Sequence, residues 1–173
     1  MTIIRRYRDT TADDGSRLFE YREAWSAPGS GQLTVHHGRV GQPGTVADQD
    51  VVDDAEAATL LEAFAAQCDE DEFTPLTEER LAHVLVEYPL RASAPSPAEQ
   101  TTLEHLRRQI THRLAWRGLG EVVDMTIRNG QAVLTVETPH AAKASAQIPA
   151  AAKGAQGVQP NKVRIVRPGQ DAS

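Results

Sequence analysis

The chain has 173 residues, of which 40% are hydrophobic, and it carries a net charge of −6. This composition excludes wholesale disorder, and the length allows one compact domain or two small ones. Residues 1–76 hold six arginines against fifteen acids, whereas residues 98–173 hold ten basic and six acidic residues. The acidic N-terminal half is therefore poorly suited to non-specific binding of nucleic acid.

Several features predict where the protein works. Cys68 is the single cysteine, which excludes an internal disulfide. No apolar run approaches the roughly 18 residues that a membrane span needs. Residues 1–7 are too few and too charged for a signal peptide. We therefore expect a cytoplasmic protein without a membrane span.

The first seventy residues predict strands followed by one helix. Strand-like segments begin at Ile3, at Arg17 and at Leu33, and Gln42-Pro43-Gly44-Thr45 fits a type II turn in which Gly44 supplies a positive φ. Asp53 is placed to cap the helix. Its apolar stripe comprises Ala57, Leu60, Leu61, Phe64 and Cys68.

The end of this helix carries an unusual run of four acids, residues 69–72. Acids at a helix C-terminus oppose the helix dipole, so the run indicates a loop or a contact with a basic partner. A shorter helix capped by Thr77 is expected to reach about Tyr88. Residues 89–97, with three prolines, then have the composition of a linker.

The C-terminal part predicts the order α-β-β-α-β. Ser96 and Glu99 form a capping box for a helix over 98–117, with Leu103, Leu106, Ile110 and Leu114 as its buried stripe. Asn129-Gly130 is the preferred two-residue hairpin turn, and it pairs Ile127 with Ala132, Met125 with Leu134 and Val123 with Val136. An alanine-rich helix limited by Pro149 and a strand around Val163 and Ile165 complete the order.

We accordingly predict an α+β protein of two modules. Residues 1–88 form an antiparallel sheet with one packed helix, residues 89–97 a linker, and residues 98–173 a small α/β module.

Leu18-Phe19-Glu20-Tyr21 followed by His37-Gly38-Arg39-Val40-Gly41 resembles the WGR domain, named for its Trp-Gly-Arg signature. The resemblance covers about residues 3–76, and it includes an aromatic-Glu strand, a short glycine turn and a helix. Arg39, Gly38 and Gly41 match the signature, while His37 stands where the family has tryptophan. The resemblance implies a binding module, and in nuclear poly(ADP-ribose) polymerases such domains contact DNA ends and neighbouring domains. An alternative is that the glycines serve the turn and that Arg39 forms a structural ion pair.

The C-terminal module is similar to the BON domain over about residues 100–168. The similarity rests on the stretch 129–135, the alanine-rich helix and Gly157-Val158 before the closing strand. It implies a small module that is associated with binding of phospholipid and other ligands. Val136 departs from the glycine that the family has near this position.

Basic side chains gather on the first C-terminal helix. His105, Arg108 and His112 share one side of it, with Arg107, Arg113 and Arg117 nearby. They form either a solvated face or a docking surface for an acidic partner.

We therefore expect a non-catalytic binding or adaptor protein with a protein partner. Its partner-binding residues are His37, Gly38, Arg39, Arg108 and His112. No cofactor is expected, and no metal, because adjacent His36 and His37 on a strand point to opposite faces.

Two alternatives stay open. The first is a nucleic-acid-binding accessory protein that uses Arg39 and the helix 98–117. The second is a small enzyme whose site lies between the modules, with Glu20, His37, Arg39 and Asp48 as its polar residues.

Overall fold

The computed structural model describes residues 3–166, which divide into two compact units with the boundary between Thr77 and Glu78. The protein is α+β. The first unit contains β1 (Ile3–Thr11), β2 (Arg17–Trp25), β3 (Gln32–Arg39), β4 (Thr45–Asp50) and α1 (Asp54–Glu70). The second contains β5 (Ala82–Pro89), α2 (Pro97–Ala115), β6 (Glu121–Arg128), β7 (Gln131–Thr138), α3 (Ala141–Gly154) and β8 (Arg164–Val166).

In the first unit the four strands follow one another in a meander, and every neighbouring pair is antiparallel. Helix α1 packs on one face of this sheet, where Leu33, Val51 and Ala57 form a buried cluster. Successive side chains of a strand point to opposite faces. The other face therefore presents Tyr7, Phe19 and the residues at alternate positions from them.

Helix α1 ends in a Schellman motif. The N–H of Phe73 donates to the carbonyl of Cys68 at 2.8 Å, and the N–H of Glu72 donates to the carbonyl of Asp69 at 3.2 Å. Both Cys68 and Phe73 are buried, which is the apolar contact that accompanies this motif. Glu72 occupies the left-handed position, with φ of 63°, that glycine usually takes.

We expect Glu72→Gly to stabilise the protein by about 1 kcal/mol, because glycine removes the left-handed strain and one acid leaves the negative end of the helix dipole. Urea unfolding followed by circular dichroism measures the change. Glu70→Gly is the matched control. It removes one acid from the same helix end but puts glycine inside the helix, so it should destabilise. Equal effects of the two substitutions would contradict the assignment of strain to Glu72.

The second unit has the strand order β6-β7-β5-β8, with every neighbouring pair antiparallel. Helix α2 connects β5 to β6, and α3 connects β7 to β8, which gives the β-α-β-β-α-β topology called ferredoxin-like. The buried residues Val84, Val86, Leu134 and Val136 mark the covered face of this sheet.

Strand β5 corrects two of the predictions. The helix expected up to Tyr88 is wrong, because Val84, Val86 and Tyr88 alternate with more exposed residues and form a strand. This strand pairs with β7 and β8, so the boundary between the units lies at Thr77 and Glu78, not in the proline-rich stretch. The stretch 89–97 instead lies inside the second unit, with residues 90–96 as the loop from β5 to α2, where the N–H of Leu90 donates to the carbonyl of Gly130 at 2.8 Å.

The capping box of α2 is confirmed. Ser96 accepts a hydrogen bond from the N–H of Glu99, whose carboxylate accepts from the N–H of Ser96 at 2.9 Å. The same carboxylate also accepts from the N–H of Arg91 at 2.9 Å. The backbone N–H of Ser96, and then that of Arg91, lower the pKa of Glu99 from 4.5 to about 2.

This pKa predicts a pH-dependent stability. The folded-state pKa of Glu99 is depressed, so its contribution is complete above the unfolded value of 4.5 and is lost as the pH falls towards 2. We expect Glu99→Gln to have a lower Tm than the wild type at pH 7, and the gap to close between pH 4.5 and 2. Thermal unfolding across this range tests it. A gap that persists unchanged at pH 2 would contradict the role given to the charge.

The hairpin of β6 and β7 has its turn at Asn129 and Gly130, whose positive φ values of 51° and 73° fit the predicted two-residue turn. The predicted register is confirmed for two apolar pairs, Ile127 with Ala132 and Met125 with Leu134. It is wrong for Val123. A β-bulge places Val122 opposite Val136 and leaves Val123 48% exposed.

Helix α3 also extends further than expected. It passes through Pro149 and ends at Gly154. Proline has no N–H, so the carbonyl of Ser145 lacks its usual helical donor at this point. The buried Ala144, Ile148 and Ala152 hold the helix against the rest of the unit on both sides of the proline.

Candidate functional site

Residues 37–41 span the end of β3, where His37, Gly38 and Arg39 lie, and the tightly held turn that follows it. The N–H of Gln42 donates to the carbonyl of Arg39 at 3.0 Å, and Gly41 has the positive φ of 96° that the turn requires. Val40 is buried, and its N–H donates to the carbonyl of Phe19 at 2.9 Å. The positive φ predicted for Gly44 therefore belongs to Gly41, and the chain turns earlier than expected.

Gly44 and Gly38 lie where the structure leaves no room for a side chain. A Cβ on Gly44 would lie 2.1 Å from the phenol oxygen of Tyr21 and 2.3 Å from Nε2 of His36. A Cβ on Gly38 would lie 3.0 Å from Cα of Gly44 and 3.3 Å from the same phenol oxygen. The glycines of the signature stretch thus let the backbone lie directly against a buried tyrosine and histidine.

Beneath this turn runs a buried row of polar side chains. The strand register places Arg5 opposite Glu23, and Glu23 opposite His36. Nε of Arg5 donates to one carboxylate oxygen of Glu23, and the other oxygen lies 3.5 Å from Nδ1 of His36. Nε2 of His36 lies 2.9 Å from the hydroxyl of Tyr21. Because a carboxylate only accepts, Nδ1 of His36 is the donor in its contact with Glu23.

This row was missed in the sequence. The sequence suggests a role for His36 only as a possible metal ligand beside His37, whereas in the structure His36 is buried in the row and His37 is exposed on the opposite face. The alternation of side chains along a strand, which separates the two histidines, is the sequence signal that could have predicted this row. It also places Glu23 and Tyr21 on the face that carries His36.

We expect Gly44→Ala to destabilise the protein by about 1–3 kcal/mol or more, because the new methyl group would collide with the pair formed by Tyr21 and His36. Gly154→Ala is the matched control, since its Cβ would meet its nearest neighbour at 3.6 Å and alanine favours the helix. Urea unfolding of both variants tests this. Similar stabilities for the two variants would show that the turn moves aside without cost.

Ion pairs engage five of the six arginines of the first unit. Besides Arg5 with Glu23, the structure pairs Arg6 with Asp69, Arg8 with Glu20, Arg17 with Asp9 and Arg22 with Asp71. The acidic run 69–72 at the end of α1 therefore has basic partners inside the unit itself, namely Arg6 of β1 and Arg22 of β2.

Phe73 organises part of this network. The guanidinium groups of Arg8 and Arg22 lie 4.5 and 4.1 Å from the centroid of its ring. Through these cation–π contacts the two arginines lie over the face of Phe73 while their guanidinium groups donate to Glu20 and Asp71. The backbone next to Phe73 pairs with β1, because the N–H of Thr74 donates to the carbonyl of Tyr7 at 2.9 Å.

Arg39 differs from the other five arginines. It is exposed, and within residues 3–166 its side chain makes no hydrogen bond or ion pair. Glu20, directly opposite on β2, is already bound by Arg8. The nearby Asp14 has a lowered pKa mainly because its carboxylate accepts from the side chain of Ser16, with a small contribution from the Arg39 charge. His37 is likewise exposed and unpaired.

The basic face predicted for α2 divides into two parts. His105 lies 3.2 Å from the carbonyl of Gln156, and Arg113 donates to the side chain of Gln147 at 3.1 Å, so these two are turned towards α3 and the segment after it. Arg108 and His112 instead line an open groove of about 480 Å³ between α2 and β6. The other lining residues are Glu104, Arg107, Thr111, Glu121 and Val122.

The four residues considered for an enzyme site all lie in the first unit, but on two faces of its sheet. Glu20, His37 and Arg39 share the face of α1 by register. Asp48 pairs with Thr34 and accepts from its hydroxyl at 2.7 Å, which places it on the opposite face. One catalytic site cannot use all four side chains in this arrangement.

The Cys68 thiol and clusters of metal-ligating side chains are the other groups that could carry chemistry. Burial raises the pKa of the Cys68 thiol, and Arg22 and Arg6 oppose this only in part. In the described part of the chain, no three metal-ligating side chains form a cluster. No helix within residues 3–166 is both long and apolar enough to cross a membrane.

Comparison of the chain with models of protein families, with curated proteins and with solved structures finds no match. The resemblances to the WGR and BON domains therefore stay predictions that rest on the residues quoted above.

Proposed function

We propose that this protein is a non-catalytic binding protein, an adaptor that holds a protein partner through its WGR-like turn. The observation that carries the proposal is the unpaired guanidinium of Arg39 in a unit where the other five arginines have acidic partners. A cation left without a partner on a well-fixed turn is available to a ligand from outside the chain.

The turn suits this role because its backbone is already fixed, so binding a partner costs little conformational entropy. The buried Val40 and the glycines that lie against Tyr21 fix the backbone on both sides of Arg39. Arginine presents a planar fork of donors, which matches a carboxylate with two parallel hydrogen bonds. Exposed His37, two residues earlier, adds an aromatic surface and a further donor. We infer that the contact on the partner is acidic.

Nucleic acid is the second candidate partner. It is favoured by the exposed Arg107, Arg108 and His112 on α2 of the second unit, and separately by the exposed Arg39 of the first unit, each of which would contact phosphates. It is opposed by the fifteen acids of residues 1–76. Binding of labelled duplex DNA and of RNA at two salt concentrations separates the candidates, because phosphate contacts weaken steeply with salt.

We expect Arg39→Ala to weaken capture of the protein partner by about 1–3 kcal/mol, the range for a charged hydrogen bond, with little change in stability. Arg39→Lys should recover only part of the loss, because the charge returns without the fork. Quantitative affinity capture from native lysate, followed by titration of the captured protein, gives these values.

Lys153→Ala is the control for loss of a positive charge, since Lys153 is exposed on α3. It should capture as much partner as the wild type does. A variant Arg39→Ala that loses thermal stability while keeping its partner would make Arg39 a structural residue, and the proposal for this turn would be withdrawn.

A further inference from the structure

One face of the second sheet lies away from both long helices of its unit. The crossovers β5-α2-β6 and β7-α3-β8 put their helices on the same face, that of Val84 and Leu134, because such connections are right-handed. The opposite face, called here the open face, carries the alternate positions of each strand, such as Leu85 and Thr135. In β5 and β7 these positions are more exposed than their neighbours.

The middle of the open face is mostly apolar or β-branched. Strand register aligns Thr135, Leu85 and Val166 in one row across the sheet, and Thr126 and Val133 in the next. All five are half-buried. A sheet face in water normally carries polar side chains, whereas an apolar centre with a charged rim is typical of an interface.

The charged side chains of the open face separate by sign along the strands. The acids near the end where β6 begins are Glu121, Asp124 and Glu137. The bases towards the other end are Arg128, Arg164 and Lys162, which lines a groove with Arg164. Two residues depart from this pattern, since His83 lies 3.7 Å from Glu137, and Glu87 lies opposite Arg164 in register.

The opposite charges are too far apart to satisfy one another within one chain. Asp124 and Arg128 are four residues apart on β6, which separates them by about 13 Å. The side chains of Asp124, Arg128, Lys162 and Arg164 make no hydrogen bond or ion pair in the described part of the chain. Both ends of the face can therefore accept charges of the opposite sign from outside.

We propose that the open face is a self-association surface on which a second copy of this chain packs face to face, with its strands reversed. A two-fold axis perpendicular to the strands sets the acidic end of each sheet over the basic end of the other. Arg128 of each copy then lies over Asp124 and Glu121 of the other. Glu87 enters the contact with Arg164 of its own copy beside it. This surface is separate from the turn at Arg39.

Other occupants fit the pattern less well. The acidic end repels nucleic acid, and the described strands β5 to β8 place no Phe, Tyr or Trp on this face for bases to stack on. An acidic or a basic peptide would match only one end. A second copy with the axis along the strands would set like charges together, which is unfavourable. The reversed copy supplies both signs at the required spacing.

The size of the face sets the expected strength of this contact. Strands of eight residues, about 3.3 Å apart per residue and about 4.8 Å between strands, give a face of at most about 500 Å² per copy. Stable complexes bury about 800 Å² per partner. We therefore expect a reversible dimer with a Kd no tighter than roughly micromolar.

Sedimentation equilibrium of the full chain, from about 10 µM to about 1 mM, tests for this dimer. We expect its Kd to rise about 10-fold when the salt concentration rises from about 50 to about 500 mM. Asp124→Arg and Arg128→Asp should each weaken dimerisation at least about 10-fold, because like charges then meet. An equimolar mixture of these two variants should form heterodimers, since one face is now basic where the other is acidic.

Val133→Lys tests the apolar centre, and it should also weaken dimerisation about 10-fold or more. Two matched controls should dimerise as the wild type does. Lys153→Asp reverses an exposed charge on α3, and Val52→Lys puts a lysine at an exposed valine of the first unit. Circular dichroism and the Tm check that each variant is folded, and any folded face variant still decides if another unfolds.

Three results would overturn the proposal. The first is a monomer at every concentration up to about 1 mM. The second is unchanged dimerisation in every folded face variant. The third is a dimer that Val133→Lys leaves intact while the amides of β6 gain protection from hydrogen exchange, because this would assign the contact to strand pairing at the edge of β6. None of these variants touches Arg39, so failure here leaves the proposed function to its own test.

Discussion

Four arginines of the first sheet, Arg5, Arg6, Arg8 and Arg22, lie where water solvates them only in part, and their pairing with acids governs the structure around them. Glu23 lies in the sheet interior because Arg5 and His36 satisfy both of its oxygens. The acidic end of α1 is stable beside β1 and β2 because Arg6 and Arg22 reach it. The same requirement singles out Arg39, the arginine for which the described chain provides no acid.

In the second unit, local sequence signals fix the ends of the elements, and the topology decides which elements lie side by side. The capping box at Ser96 and the turn at Asn129 fix where α2 begins and where β6 reverses. The topology then puts α2 and α3 on one face of the sheet. On the other face, strand register gathers acids near one end of the strands and bases near the other, although neither group is unusual by itself.

The parts of the fold that could be predicted depend on residues close in sequence. The stripe from Leu103 to Leu114 and the pairs Ile127 with Ala132 and Met125 with Leu134 follow from short-range periodicity and one turn. Arg39 is exposed, and Arg108 and His112 line one groove, but the role of these residues in binding a partner stays a prediction. Strand β5 and the bulge at Val123 were not found, because both depend on pairing with β7, whose position the local pattern does not specify.

The sequence by itself determined the α+β class, the N-caps of α1 and α2 and the hairpin turn, since the caps and the turn follow from contacts within a few residues. Only the tertiary structure decided that His36 rather than His37 is buried, and that residues 89–97 lie inside a unit instead of between two. It also decided which arginines are paired. These outcomes depend on strand register and on acids that are distant in sequence. Arg22, for example, is paired by Asp71, which only the fold brings near it.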